Sequence, residues 1–322
     1  MTRRAALLLT LALPGLARAQ GAAPPWPERP PRLLVPFAPG GLTDSIARLS
    51  AEWLGAGLGQ PVVVENRTGA GGVLAVEAAL RAPPDGTTLL TASASQMVML
   101  PALTRVSYDA LRDFAPVSIV AASPQVLAVS AALGVATLAE FLARLRAAPD
   151  GLAYASGGNG SSNHLAMALL LQRAGVRATH VPYRGGAPAM QALLAGEVAA
   201  YFGNPSDIIP HAGGAAIRVL GVAGAARMAA LPGVPTIAEQ GFPGFLAETW
   251  NGIVAPTGTP AAVIETLAAR LGAGCADAGF RAAIERLGAV PVCAGPAAMR
   301  AAIEADGRQW REVVLAAGVR LE

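Results

Sequence analysis

One pattern constrains the fold more than any other: short runs of β-branched and large apolar residues alternate with Ala/Leu-rich stretches of helical length. RLLVPF at 32–37, PVVVEN at 61–66 and TTLLTA at 87–92 are runs of the first kind, and TDSIARLSAEWLGAGLG at 43–59 is a stretch of the second. Strands buried on both faces read as continuous apolar runs, and strands that alternate with helices pair through crossover connections into mainly parallel sheets. The alternation continues through SIVAA, QVLAVS, LAYAS, THVPY, AAYFG and IRVLGVA. A Pro- and Gly-dense stretch, LPGVPTIAEQGFPGFLAETW, reads as an interlobe connection. Beyond it only NGIVAP and VPVC look like strands, too few for a sheet of their own. The C-terminal part is therefore expected to rejoin the first lobe. With 322 residues, the chain is long enough for two cores. The expectation is an α/β protein with lobe 1 over 20–122 and 249–322 and lobe 2 over 123–248.

Residues 1–19 read as a cleavable signal peptide. Arg3 and Arg4 form a basic start, Ala5 to Leu13 an apolar centre too short to span a bilayer, and Ala17-Arg18-Ala19 an A-x-A cleavage site. Export by this leader points to the periplasm, by a Sec or a twin-arginine route that the leader leaves open. The formal net charge of +3 counts Arg3, Arg4 and Arg18, so the mature chain is close to neutral. It has no Arg-rich run, and no nucleic-acid partner is expected. The sequence contains no lysine, which excludes P-loop, Schiff-base and Ser-Lys chemistry. In an oxidising compartment Cys275 and Cys293 either pair or stay as separate buried thiols, and sequence leaves both open.

Three places strip away side chains where a strand hands over to a helix: APGGLTD at 38–44, RTGAGGVLAVEA at 67–78 and ASGGNGSSNHLAM at 155–167. Glycine there leaves backbone N–H groups uncovered at the positive end of the following helix dipole. Two such nests from different lobes would hold an anion between them, with APGGLTD and SGGNGSSN as the expected halves. Neutral donors and acceptors cluster in the same loops: Ser93, Ser95 and Gln96; Ser156, Ser161, Ser162 and Asn163; Tyr183, with Arg184 as a bidentate cation. His164 reads either as a packed histidine or as a ligand contact. Motifs for catalysis are lacking. GGNGSSN departs from G-x-G-x-x-G at Asn163, there is no G-x-S-x-G, and His164, His180 and His211 show no metal-ligand spacing. A Ser161, His180, Asp207 trio can be drawn, but nothing local activates the serine. No catalytic residue, metal or cofactor is expected.

VPFAPGGLTDSIAR, LGQPVVVENRTGAGG, PDGTTLL, PVSIVAASPQVLAVS, LAYASGGNGSSNHLA, HVPYRGGAPAMQALLAGEV, LPGVPTIAEQGFPGF and WNGIVAPTGTP together, in this order, resemble the Bug-type receptors of tripartite tricarboxylate transporters. The resemblance runs from about Trp26 to the C-terminus. It implies a fold like that of type II periplasmic binding proteins, with two α/β lobes joined by crossing strands and a ligand cleft between them. It also implies a small organic carboxylate as ligand and membrane permease subunits as partners; a receptor that opens and closes is most simply a monomer. The site residues it implies are Phe37, Gly40, Gly41, Thr43 and Asp44, with Ser93, Ser95 and Gln96. From the other lobe come Ser156, Gly157, Gly158, Ser161, Ser162, His164, Tyr183, Arg184 and Asn204. Two departures stand out. Family members often read Phe-Asp-Asn where this chain has Phe202-Gly203-Asn204, so an acid near the cleft floor is missing, and Tyr-Lys-Gly is replaced by Tyr183-Arg184-Gly185. An exported hydrolase or isomerase using the same cleft, or a ligand-sensing partner of a membrane signalling protein, are the alternatives.

Overall fold

The computed structural model describes residues 26–148 and 151–317. The signal-peptide segment at 1–19 lies outside them. In chain order the elements begin with β1 (Arg32–Val35), α1 (Leu42–Leu58), β2 (Val63–Asn66), α2 (Val73–Leu80) and β3 (Thr88–Ser93). A π-helical turn over Ser95–Met99 then runs into α3 (Leu100–Leu103). The long β4 (Phe114–Pro124) leads to β5 (Val126–Ser130), α4 (Leu138–Ala147), β6 (Ala153–Ser156), α5 (Ser162–Ala174), β7 (Thr179–Pro182), α6 (Gly186–Leu194), β8 (Ala200–Gly203), α7 (Pro205–Ile208) and β9 (Ile217–Val222). The chain closes with β10 (Glu248–Pro256), α8 (Ala261–Gly274), α9 (Ala278–Arg286), β11 (Val290–Ala294) and α10 (Pro296–Ala317).

These strands form two sheets. The first, in order β11-β4-β10-β3-β1-β2, contains strands from both ends of the chain, and the second is β7-β6-β8-β5-β9. Both are mixed. β1 pairs in parallel with β2 and β3, and β6 with β7 and β8, but β10 runs antiparallel to β3 and β4, and β5 antiparallel to β8 and β9. The expectation of mainly parallel sheets fails at the crossings. β4 and β10 lie side by side over Phe114–Pro124 and Glu248–Pro256, one leaving the first lobe and one returning, so they must run in opposite directions. The crossings themselves are short: Gln125 N–H donates to Ala247 C=O and Ala223 N–H to Gln125 C=O. LPGVPTIAEQGFPGFLAETW is therefore mostly not a connector. Phe245 and Ile237 are buried in the second core, and Val222 bridges to Thr236, so the stretch covers the β9 edge before the chain crosses at Ala247 and Glu248.

Each sheet is covered on both faces, the reason its strands carry no polar alternation. On one face of the first sheet Leu33, Val35 and Leu89 meet Ile46 and Leu54 of α1, Leu267 of α8 and Phe280 of α9. On the other, Leu34, Leu90 and Val254 meet Val76 of α2 and Met299 and Ile303 of α10. The second sheet is packed likewise, by Phe141 of α4 and Leu170 of α5 on one side and Met190 and Leu193 of α6 on the other. Full burial of a large apolar side chain contributes about 1.5–3 kcal/mol, so these four clusters dominate the folding free energy. Cys275 and Cys293 form a disulfide with Cα atoms 5.9 Å apart, tying the end of α8 to β11. Among the described residues no helix is long and apolar enough to cross a membrane.

Candidate functional site

Three helices begin at one small cavity between the lobes. α1 starts at Gly41, α5 at Ser161 and α6 at Gly185. The cavity, of about 20 Å³, is lined by Phe37, Gly41, Leu42, Thr43, Ser93, Ser95 and Thr249 from the first lobe and Gly157, Ser162, Asn163, Gly186 and Asn204 from the second. Among the described residues no ionisable side chain lines it. α1 and α6 have no side-chain cap, because glycine stands at both N-cap positions. Their first N–H groups have no carbonyl one turn back, and both helix starts lie at the gap between the lobes. The two ends lie close together: a Cβ built on Gly41 would be 3.7 Å from Gly186 N and 3.8 Å from Ala187 N.

The loop before α1 is shaped from beneath. Asp44 accepts from Gly40 N–H at 2.9 Å, from Asn66 Nδ2 at 2.8 Å and from Arg48 through two contacts of 2.9 and 3.1 Å. Burial works to raise the Asp44 carboxyl, but the hydrogen bonds from Arg48, Gly40 and Asn66 outweigh it and hold it below its ordinary value. This anchor holds the bend at Gly40, whose φ of +91° suits glycine, just before the start of α1. Asp44 is thus a brace under the site and not part of its lining. Thr43 Oγ1 donates to Asn251 Oδ1 on β10 at 2.7 Å, which fixes that side chain against the crossing strand.

Other expected residues are also committed to structure. Ser93 donates to Gln96 Oε1 at 2.6 Å, and Gln96 Nε2 holds Gly71 C=O at 3.1 Å, so Gln96 supports the 69–72 loop from behind. Ser95 Oγ accepts from Ser162 N–H across the lobes at 3.0 Å, and Ala38 N–H donates to Arg184 C=O at 2.9 Å. These two bonds hold the lobes together. A third approach needs glycine: a Cβ on Gly71 would lie 2.4 Å from Asn159 C=O of the other lobe. Gly158, Tyr183 and Arg184 line a neighbouring depression of about 300 Å³ with Gly69 to Gly72, outside the inner cavity.

Below the second-lobe loop, His164 and His180 stack with ring centroids 3.9 Å apart. His164 Nδ1 accepts from Gly160 N–H at 3.2 Å, and His180 Nε2 lies 2.6 Å from Ser156 Oγ. Burial pushes both rings below the ordinary histidine value, His164 to about 3 with a further contribution from His180, and His180 to about 4. Both are neutral props for the 156–160 loop, and His164 does not line the cavity. The Ser161, His180, Asp207 trio is not assembled. Ser161 Oγ caps α5 by accepting from His164 N–H, His180 meets Ser156, and Asp207 takes Tyr201 OH at 2.9 Å. Among the described residues no cluster of His, Cys, Asp and Glu is arranged to hold a metal.

Both expected nests line the cavity, through Gly41 to Thr43 and through Gly157, Ser162 and Asn163, and the geometry adds a third loop to them. Opposite Gly41 stands Gly185-Gly186-Ala187, while Gly158 and Asn159 of SGGNGSSN face Gly71. Leu42, Thr249 and Gly186 join the lining without having been expected there. Thr249 and Asn251 left a signal: two polar residues two apart, on one face of a strand that is apolar beyond Glu248. An acid also stands near the floor despite Gly203. The Tyr201 ring occupies the space where a Gly203 side chain would project, with Cε1 2.4 Å from the Cβ position, and carries its hydroxyl to Asp207 behind Gly186.

Comparison with known proteins follows the same lines. The profile of the tripartite tricarboxylate transporter family receptor (TctC) matches residues 46–318. The chain belongs to this receptor family. Protein BugT of Bordetella pertussis is 37% identical over 325 residues, covering 100% of this chain and 99% of its own. Among solved structures, this receptor is similar to Rpa4515 of R. palustris, whose structure is with adipate (33% identity, TM-score 0.89, 92% of this chain and 99% of that one). It is similar too to MatC (Rpa3494) from Rhodopseudomonas palustris with bound malate (32% identity, TM-score 0.86, 90% and 100%). The two-lobed fold is that of these receptors.

Proposed function

We propose that this protein is an exported periplasmic receptor, most simply a monomer, that closes around a small organic carboxylate and delivers it to membrane permease subunits of the tripartite tricarboxylate type. The observation that carries the reading is the meeting of two uncapped helix N-termini from different lobes at a cavity with no ionisable lining side chain. Such ends carry partial positive charge and free N–H groups, which suit a carboxylate. Neutral donors bind it without the strong charge pairing that slows release. The cavity between the lobes has room for about one water, so an acid enters with the lobes apart and is held between the same helix ends with the lobes somewhat further apart than here.

The protein acts as a binding protein and not as an enzyme. A calorimetric screen of mono-, di- and tricarboxylates against the mature chain tests this. Saturable binding of at least one acid with no product formed is expected. Turnover of an acid, abolished by Ser161→Ala, would establish the hydrolase reading instead. Co-purification with permease subunits, as against a membrane sensor, reads out the partner.

A further inference from the structure

Behind the second-lobe wall three side-chain amides are joined end to end. Asn163 Nδ2 donates to Gln125 Oε1 at 2.6 Å, Gln125 Nε2 donates to Asn204 Oδ1 at 3.0 Å, and Asn204 Nδ2 donates to Asp207 Oδ2 at 3.3 Å. Asn163 and Asn204 line the cavity. Gln125 is fully buried at the crossing between lobes, and Asp207 is buried behind Gly186.

The buried carboxylate sets the direction of this chain. Burial raises the Asp207 carboxyl, but its hydrogen bonds with Tyr201 and Asn204 all end on Oδ2 as acceptor, which already takes Tyr201 OH at 2.9 Å and Asn204 N–H at 3.3 Å. Asn204 must therefore turn its NH₂ towards Asp207 and its oxygen towards Gln125. Gln125 must answer with its NH₂, which leaves its oxygen for Asn163. Asn163 must donate in turn, so its own Oδ1 is left over. That oxygen lies 3.0 Å from the Cβ position of Gly157, on the cavity wall, and accepts no hydrogen bond among the described residues. A free amide can flip to suit its ligand; this one is locked.

We propose that Asp207 and Gln125 are positioning residues for ligand selection: through Asn204 they hold the Asn163 amide with its carbonyl oxygen facing the cavity, so that the site favours an acid whose hydroxyl group reaches that oxygen. The inference rests on the carboxylate reading above. An acceptor enclosed with a ligand that offers it no donor is penalised, and sites built to meet a hydroxyl discriminate against the analogue that lacks it.

The test is calorimetry with matched acids that differ by one hydroxyl, lactate against propionate and malate against succinate, on the wild-type mature protein and on Asp207→Asn. The wild type is expected to bind the hydroxy acid of at least one pair about tenfold more tightly. Asp207→Asn removes the acceptor-only end, frees the amides to turn, and brings that ratio close to one. A merely structural fault would weaken both members alike and leave the ratio unchanged. Gln125→Leu, which cuts the chain in the middle, reads the same ratio should Asp207→Asn not fold. Equal affinities for both members of every pair in the wild type overturn the inference, as does a ratio that survives in the folded variant. Those results leave the carboxylate reading standing, whereas failure of all four acids and of the wider carboxylate panel removes that reading and the inference with it.

Discussion

Replacing Gly41 with Val tests the central geometry. Gly41 has φ −82° and ψ 173°, extended backbone open to any residue, so the substitution brings no backbone strain. Its loss of N-cap preference destabilises α1 by about 1 kcal/mol or less. The new Cβ would sit in ordinary contact, 3.7 Å from Gly186 N, and the two further methyl groups extend into a cavity of only about 20 Å³. They cover the N–H groups of both helix ends. A hydrogen bond to a charged group contributes about 1.5–3 kcal/mol, so losing one of those contacts weakens binding by between about tenfold and a hundredfold. Calorimetry with the best carboxylate of the panel measures this, and a thermal melt of the unliganded protein within a few degrees of wild type shows that the fold is kept. An affinity within twofold of wild type, with the fold intact, would refute the claim that these amides hold the ligand.

The remaining expectations concern closure and stability. Gly71→Ala places a methyl 2.4 Å from the Asn159 carbonyl, at a backbone φ of +64°, and keeps the lobes from shutting fully; affinity should fall at least tenfold, and small-angle scattering with saturating ligand should show a less compact protein than wild type. For the histidine stack, folded pKa values below the unfolded value mean that stability is full above about pH 6.5 and is lost as pH falls towards about 4 and 3. Each ring should withdraw about 2 kcal/mol by pH 5; melts at pH 7 and pH 5 read it, and a pH-independent Tm would contradict the buried neutral pair. Reducing the Cys275–Cys293 bond, which closes a segment of 18 residues, should lower stability by about 3 kcal/mol on a loop-entropy basis. Ligand affinity should hardly change, since the bond lies at α8 and β11; a large loss of affinity would show that it acts on the cleft.

The strands were legible because this fold buries both faces of its sheets: RLLVPF, TTLLTA and QVLAVS have no competing helical period and lie where β1, β3 and β5 form. Strand direction was not, because β4 and β10 carry the same apolar text whether they run with or against their neighbours. The Gly-rich helix starts were legible too, since glycine before an apolar helix uncovers amides in any context. Which start faces which is a tertiary fact. Tyr183-Arg184-Gly185-Gly186 reads locally as a turn with a cation, and only the closed lobes show that Gly185 meets Ala38 and Gly186 faces Gly41 while Arg184 lines the outer depression. Gln125 was hidden for a similar reason. One polar residue between two strands carries no period, and its partners Asn163 and Asn204 lie 38 and 79 residues away.

The arrangement also explains why the site lacks a cation of its own. Arg48 is tied to Asp44, and Arg184 lines the outer depression. The attraction for an anion then comes from helix ends, each equivalent to roughly half a positive charge and effective only within about a turn. With the lobes apart, an acid at the proposed site would meet the end of α1 or of α6 but not both; with the lobes closed around it, it would meet both. The gain on closing is thus the second set of amides, and affinity depends on how readily Ser95–Ser162, Ala38–Arg184 and the Gly71–Asn159 approach form. On the proposed reading, a partner that opened the lobes would remove that second set at once and release the acid, without having to neutralise a buried charge.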